Sequence, residues 1–149
     1  MLIDSNHHKL TTSQIIIEGA NNIPDNKYSH RQILASILAE AKMPHVRLIR
    51  EGNTLFIVHK SDVHHVAMFR ALNADTPHNY LKNSEVFTKA MWTLGFDFMV
   101  SYFEDPAIIH VFNWVSKHPF HAGMALKIDK MDNGEYRAIV QLGPERGGV

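Results

Sequence analysis

Apolar positions change their period several times along the chain, and each change marks an element. Ile15, Ile16 and Ile17 form a β-branched run closed by Gly19, which predicts a strand. Ser29 and Gln32 then have the spacing of a capping box. Ile33, Leu34, Ile37, Leu38 and Ala41 follow as one helical stripe that Pro44 ends. From Val46 the period drops to two: residues 47–50, a Glu51-Gly52-Asn53 turn and residues 54–59 predict a hairpin. Between residues 63 and 72 neither alternate face is purely polar, as expected of a central strand covered on both sides. Asp75 as cap, with Thr76 and Pro77 behind it, opens a helix in which Tyr80, Phe87, Met91 and Leu94 recur at helical spacing before Gly95.

Phe96, Phe98, Val100 and Tyr102 alternate with Asp97, Met99, Ser101 and Phe103, an aromatic strand. Asp105-Pro106 then starts a helix whose Ile108, Val111, Phe112 and Val115 share one face until Pro119. Met124, Leu126 and Ile128 and, beyond Asn133-Gly134, Tyr136, Ala138, Val140 and Leu142 predict a hairpin with a type I′ turn. The order is β-α-β-β-β-α-β-α-β-β. It describes an α/β (α+β) chain with a mixed, mainly antiparallel seven-stranded sheet and helices on both faces. No linker or repeat interrupts it, so residues 1–143 are expected to form one domain and 144–149 a flexible tail.

Composition narrows the chemistry. Fifteen Lys plus Arg balance fifteen Asp plus Glu, so neither nucleic acid nor an anionic membrane is called for by bulk charge. Without cysteine, disulfides, thiolate catalysis and sulfur-ligated zinc sites are excluded. The first ten residues are polar, with His7, His8 and Lys9, and the longest apolar runs are a few residues, so a cytoplasmic protein with no membrane span is expected. Eleven histidines stand out, because mild acidification would charge them.

The element order from Thr12 to Leu142 resembles the GNAT N-acetyltransferase superfamily, and the segment Met99-Val100-Ser101-Tyr102 leading to Glu104-Asp105-Pro106-Ala107-Ile108-Ile109-His110-Val111-Phe112 is similar to that family's fifth strand, turn and fourth helix. The resemblance implies acyl transfer from acetyl-CoA to an amine, with the pantetheine arm between two splayed strands and the diphosphate on the turn before the next helix. It implies a cofactor site formed by Met68, Phe69, Arg70, Ala71, His78, Asn79 and Phe112. Two features, a turn and a side chain, depart from the family. The turn, Arg70-Ala71-Leu72-Asn73-Ala74-Asp75-Thr76-Pro77, contains no glycine, and Asp75 and Pro77 both oppose phosphate binding, one by charge and one by lacking an amide donor. Phe112 stands where many members have a tyrosine that protonates the leaving thiolate. The alternative reading is therefore a non-catalytic binding or structural protein on the same scaffold, similar to small acyltransferase-like proteins of tailed phages, with a protein partner and a place in the virion; self-association is left open.

Candidate chemistry is concentrated in few residues. His64 and His65 are adjacent on the expected strand and so face opposite sides; His65, beside Ala67, Phe69 and Ala71, is the candidate base, against the ordinary role of a half-buried, hydrogen-bonded histidine. Ser101 and Glu104 complete the candidate catalytic set, with Glu104 and Asp105 placed to hold a substrate ammonium. His118 and His121, with His59 or the His7-His8 pair, lack the helical i, i+4 spacing of a zinc motif, and no metal site is expected. His110 reads as helix surface, and Trp92 and Trp114 as core or interface.

Overall fold

The computed structural model describes residues 9–21, 28–63 and 65–144. The first element among the described residues is helix α1, Thr12–Asn21, where a strand was expected at Ile15 to Ile17. Thr11 Oγ1 accepts the Gln14 amide at 3.1 Å while Gln14 Oε1 accepts the Thr11 amide at 2.8 Å, a reciprocal cap the apolar run had masked. Tertiary burial decides the outcome. Three isoleucines in a helix cost at most ~0.7 kcal/mol each in propensity. Ile15 and Ile16 are both fully buried, which returns roughly 1.5–3 kcal/mol apiece. Gly19 allows a close approach to the sheet: a Cβ there would stand 2.8 Å from Leu72 Cβ.

Helix α2, His30–Ala41, begins at the expected Ser29–Gln32 capping box. Strands β1, Val46–Glu51, and β2, Thr54–Lys60, form the expected hairpin, closed by Gly52-Asn53 with Gly52 at φ +56°. Residues 54–58 of β2 are buried on both faces, so β2 rather than its neighbour is the covered central strand. Strand β3, Val66–Asn73, is antiparallel to β2 and leaves Met68 45% exposed. Helix α3, Pro77–Thr93, leads to β4, Phe98–Phe103, then helix α4, Ala107–Lys117, and the antiparallel pair β5, Ala125–Lys130, and β6, Tyr136–Gln141. The β5–β6 connection is a five-residue loop, 131–135, with Gly134 at φ +90°, in place of the two-residue type I′ turn.

The sheet order is β1-β2-β3-β4-β6-β5, mixed and mostly antiparallel, with six strands among the described residues where seven were expected. Two cores lie on its two faces. Ile15, Ile16, Ile37, Leu55, Ile57 and Leu72 pack under α1 and α2, and Phe56, Val58, Ala67, Phe87, Met91 and Met99 pack under α3. Phe56 and Phe87 stack at 3.9 Å and 3° between ring planes, fixing α3 over the middle of β2.

Candidate active site

Strands β3 and β4 run parallel but pair over three positions only, Val66 with Phe98, Ala67 with Met99 and Met68 with Val100. Beyond these the strands part. Ser61 donates to Val66 O and Ala74 to Asn53 O, so even-numbered residues of β3 bond to β2 and odd-numbered ones turn their N–H and C=O toward β4. Leu142 likewise donates to Asp97 O, which turns the main chain of residues 98, 100 and 102 toward β3. The Phe69 amide closes the ladder on the Val100 carbonyl; past it, the Phe69 carbonyl and the Ala71 amide and carbonyl face the main chain of Tyr102 across the gap with no strand pairing between them.

The gap opens into a cavity of about 800 Å³. Phe69, Phe87 and Phe112 contribute a connected aromatic wall, with centroids 5.2 Å apart for Phe69–Phe87 and 6.1 Å for Phe69–Phe112. Phe112 also stacks on Phe103 at 5.5 Å, so no hydroxyl is supplied from this side of α4. Tyr80, Ser84 and Thr88 enter from the inner face of α3, and Ser101 from β4. Burial pushes the Tyr80 phenol up to about 12, which keeps it protonated and able to donate. Glu104, Asp105 and Glu135 lie at the rim, giving the mouth an acidic border.

Of the residues singled out from sequence, Phe69, Arg70, Ala71, Ser101, Glu104 and Phe112 meet around this cavity. His65 does not. It precedes β3 with φ 64°, its Nδ1 bonds Gly95 O at 2.9 Å, and its own carbonyl accepts the Asp97 and Phe98 amides. It clasps the joined end of the two strands, opposite the open end, so the strand alternation that aimed it at the cleft does not apply. His64 lies outside the described residues. Met68 faces the other side of the sheet, and His78 is exposed outside the cavity lining. Asn79 turns its side chain to Asp75. Tyr80, Ser84 and Thr88 were missed, although their i, i+4, i+8 spacing beside the apolar stripe of α3 marks a polar line on its buried face. Among the described residues no three His, Asp or Glu side chains gather as a metal site. His118 and His121 bond the nearby carbonyls of Trp114 and Ala122.

Sequence comparison matches the chain to no family model and to no curated protein. Solved structures do match. An acetyltransferase (GNAT family) from Bacillus anthracis superposes with a TM-score of 0.58 at 9% identity, over 87% of this chain and 89% of that one. The chain has the GNAT acetyltransferase fold. Aminoglycoside 6'-acetyltransferase type Ii matches over 98% of this chain and 100% of its own, with a TM-score of 0.59 and 10% identity. The putative acetyltransferase yncA from Salmonella typhimurium, solved with its cofactor acetyl-CoA, matches over 100% and 96%, with a TM-score of 0.56 and 11% identity.

The GNAT fold directs attention to the turn at the head of α3, where the residues do not fit the diphosphate of acetyl-CoA. Thr76, rather than Asp75, is the helix cap: its Oγ1 accepts the Asn79 amide at 3.2 Å. The Ala74 amide goes to Asn53 O, that of Asp75 to Asn73 Oδ1, that of Thr76 to Asp75 Oδ1 and that of Tyr80 to Thr76 O, and Pro77 has none. Asp75 in turn ties the helix to the β1–β2 turn. Its Oδ2 accepts the Asn53 amide at 3.0 Å and Asn83 Nδ2 at 2.9 Å, and Oδ1 accepts Asn79 Nδ2 at 3.3 Å. Burial works to raise its pKa, but the hydrogen bonds from Asn53, Asn83, Asn79 and Thr76 outweigh it and hold the carboxyl below the usual range. A diphosphate would meet a carboxylate and, the His78 amide aside, amides that already have acceptors.

Proposed function

We propose that the protein transfers an acyl group from a thioester to an amine, with the donor's amide-bearing arm laid between β3 and β4. The observation that supports this is the parting of the strands after Met68 and Val100, which leaves the Phe69 carbonyl and the main-chain groups of Ala71 and Tyr102 to pair with an extended arm as a strand would. The aromatic wall suits an arm with little charge. An amine held as ammonium at the Glu104 and Asp105 rim gives up a proton to Glu104 or to water, and the neutral nitrogen attacks the thioester carbonyl. The new C–N bond forms as the C–S bond breaks; the amine's second proton leaves to solvent, and the thiolate takes a proton from water. The main-chain amide of Ala71 polarises the carbonyl oxygen.

Phe112 supports a second reading, a protein that binds an arm in the gap without turning it over, because a phenyl ring has no proton for the leaving group. Incubating the protein with an S-acetyl thioester and a diamine, and following free thiol and N-acetyl product by mass spectrometry, separates the two. Product above the uncatalysed rate, abolished by Glu104→Gln with Ser101→Ala, supports transfer. Saturable binding without product supports the second reading.

A further inference from the structure

We propose that Asp75 and the amides around it are a specificity block: the donor arm that this cavity accepts carries no nucleotide diphosphate, and is a pantetheine-type acyl thioester with few or no phosphates. The inference rests on the acyl-thioester reading of the gap and adds which thioester fits.

Three independent features of the chain point the same way. First, main-chain donors at residues 74, 75, 76, 79 and 80 all have acceptors within the protein and Pro77 removes another, so that of His78 alone is left over, where a nest needs several. A phosphate nest works by leaving such amides unpaired and aimed at the anion. Second, Asp75 is fixed rather than free to swing aside. Its two oxygens are held by three residues from two elements: Asn53 of the β1–β2 turn, and Asn79 and Asn83 of the first and second turns of α3. Asn83 Nδ2 also reaches Thr54 Oγ1 at 3.0 Å, and Thr54 Oγ1 donates to Asn73 Oδ1 at 2.8 Å, so moving Asp75 disturbs β2 and β3 together. Third, Arg70 is, among the described residues, the one cation lining the cavity, and it is engaged: its Nη2 lies 2.6 Å from Glu40 Oε1, while the lining carries Glu104, Asp105 and Glu135. The apolar gap and the acidic, amide-poor mouth thus select opposite parts of a coenzyme-like donor. The arm fits and the nucleotide does not.

The test is a graded series on the full-length chain by isothermal titration: S-acetyl-pantetheine, S-acetyl-4'-phosphopantetheine and acetyl-CoA, which share one arm and differ in phosphate. Affinity is expected to stay level or fall along the series. Acetyl-CoA binding about tenfold or more tighter than S-acetyl-pantetheine, meaning that the nucleotide contributes, overturns the block while leaving the acyl-thioester reading intact. No heat with any of the three, from protein shown folded by its melting transition, overturns the acyl-thioester reading, and the block falls with it. Asp75→Asn removes the charge and keeps an acceptor for the Asn53 amide. It should shift the acetyl-CoA to S-acetyl-pantetheine affinity ratio toward acetyl-CoA by roughly threefold to tenfold, with the shift shrinking in high salt. Asp75→Gly with Pro77→Ala should shift it further, and Asp75→Asn serves alone if the double variant does not fold. A ratio unchanged in folded Asp75→Asn also overturns the proposal.

Discussion

Arg70 Nη2, on β3, donates to Glu40 Oε1, at the end of α2, across 2.6 Å. The other Glu40 oxygen meets His59 Nε2, and His59 Nδ1 lies 3.3 Å from His45 Nε2, so one largely buried carboxylate holds a cation and a histidine pair. Exposed ion pairs are worth little, but Glu40 is only 13% exposed and serves two donors. The arginine that could have met a donor phosphate already has a partner. Glu40→Gln should loosen Arg70 and increase binding of inorganic pyrophosphate, used as a probe, by about the few-fold that one half-exposed charge supplies. Titration calorimetry at low salt checks this.

Gly52 and the Asp75–Asn83 pair are sterically coupled. A Cβ at Gly52 would stand 2.9 Å from Asn83 Oδ1 and from Asp75 Oδ2, at φ +56°. Gly134 has φ +90° and no atom within 4 Å of the same Cβ position. Gly134→Ala therefore reports backbone strain alone, about 1–2 kcal/mol. Gly52→Ala adds displacement of the Asp75 cluster and should be the more destabilising of the two by chemical denaturation. Equal effects would mean that the cluster adapts freely.

Acid stability should depend on Asp75. Its hydrogen bonds lower the folded-state pKa below the ordinary 3.8, so its contribution is complete above pH 3.8 and is lost as pH falls through the folded value. Urea midpoints of the wild type should drop more steeply than those of Asp75→Asn below pH 3.8.

Tyr80 gives the opposite limb. Because burial raises its phenol to about 12 from 10.0, its contribution is complete below pH 10.0 and is lost as pH rises toward 12. Tyr80→Phe should delete one tyrosinate transition near pH 12 in near-ultraviolet absorbance.

Phe112 sets the rate if transfer occurs. Phe112→Tyr places a proton donor beside the gap, and general acid catalysis adds about 10²- to 10⁴-fold where geometry allows. The same hydroxyl costs about 1–3 kcal/mol if it finds no partner against Phe103 and Phe69. A rise in turnover with a small loss of stability is expected in the thiol-release assay.

Elements set by local signals were legible in the sequence. The Ser29–Gln32 box, the Gly52-Asn53 turn and the aromatic alternation of β4 each needed only neighbours along the chain. Elements set by distant partners were not. Ile15, Ile16 and Ile17 have strand propensity, and only the sheet face that buries the first two makes them helical. His65 lies one residue before β3, where Gly95 and the β4 entrance fix its left-handed backbone, and alternation cannot locate a strand's first residue. Asp75 was read as hostile to phosphate but not as a fastener, because Asn53 and Asn83 are remote in sequence.

Backbone amide NMR during addition of S-acetyl-pantetheine tests the central claim most directly. Saturable shifts concentrated at the amides of Ala71 and Tyr102 are predicted, since these line the gap where β3 and β4 separate. Saturable shifts that leave those two amides unmoved, or no shifts at any concentration, would contradict it.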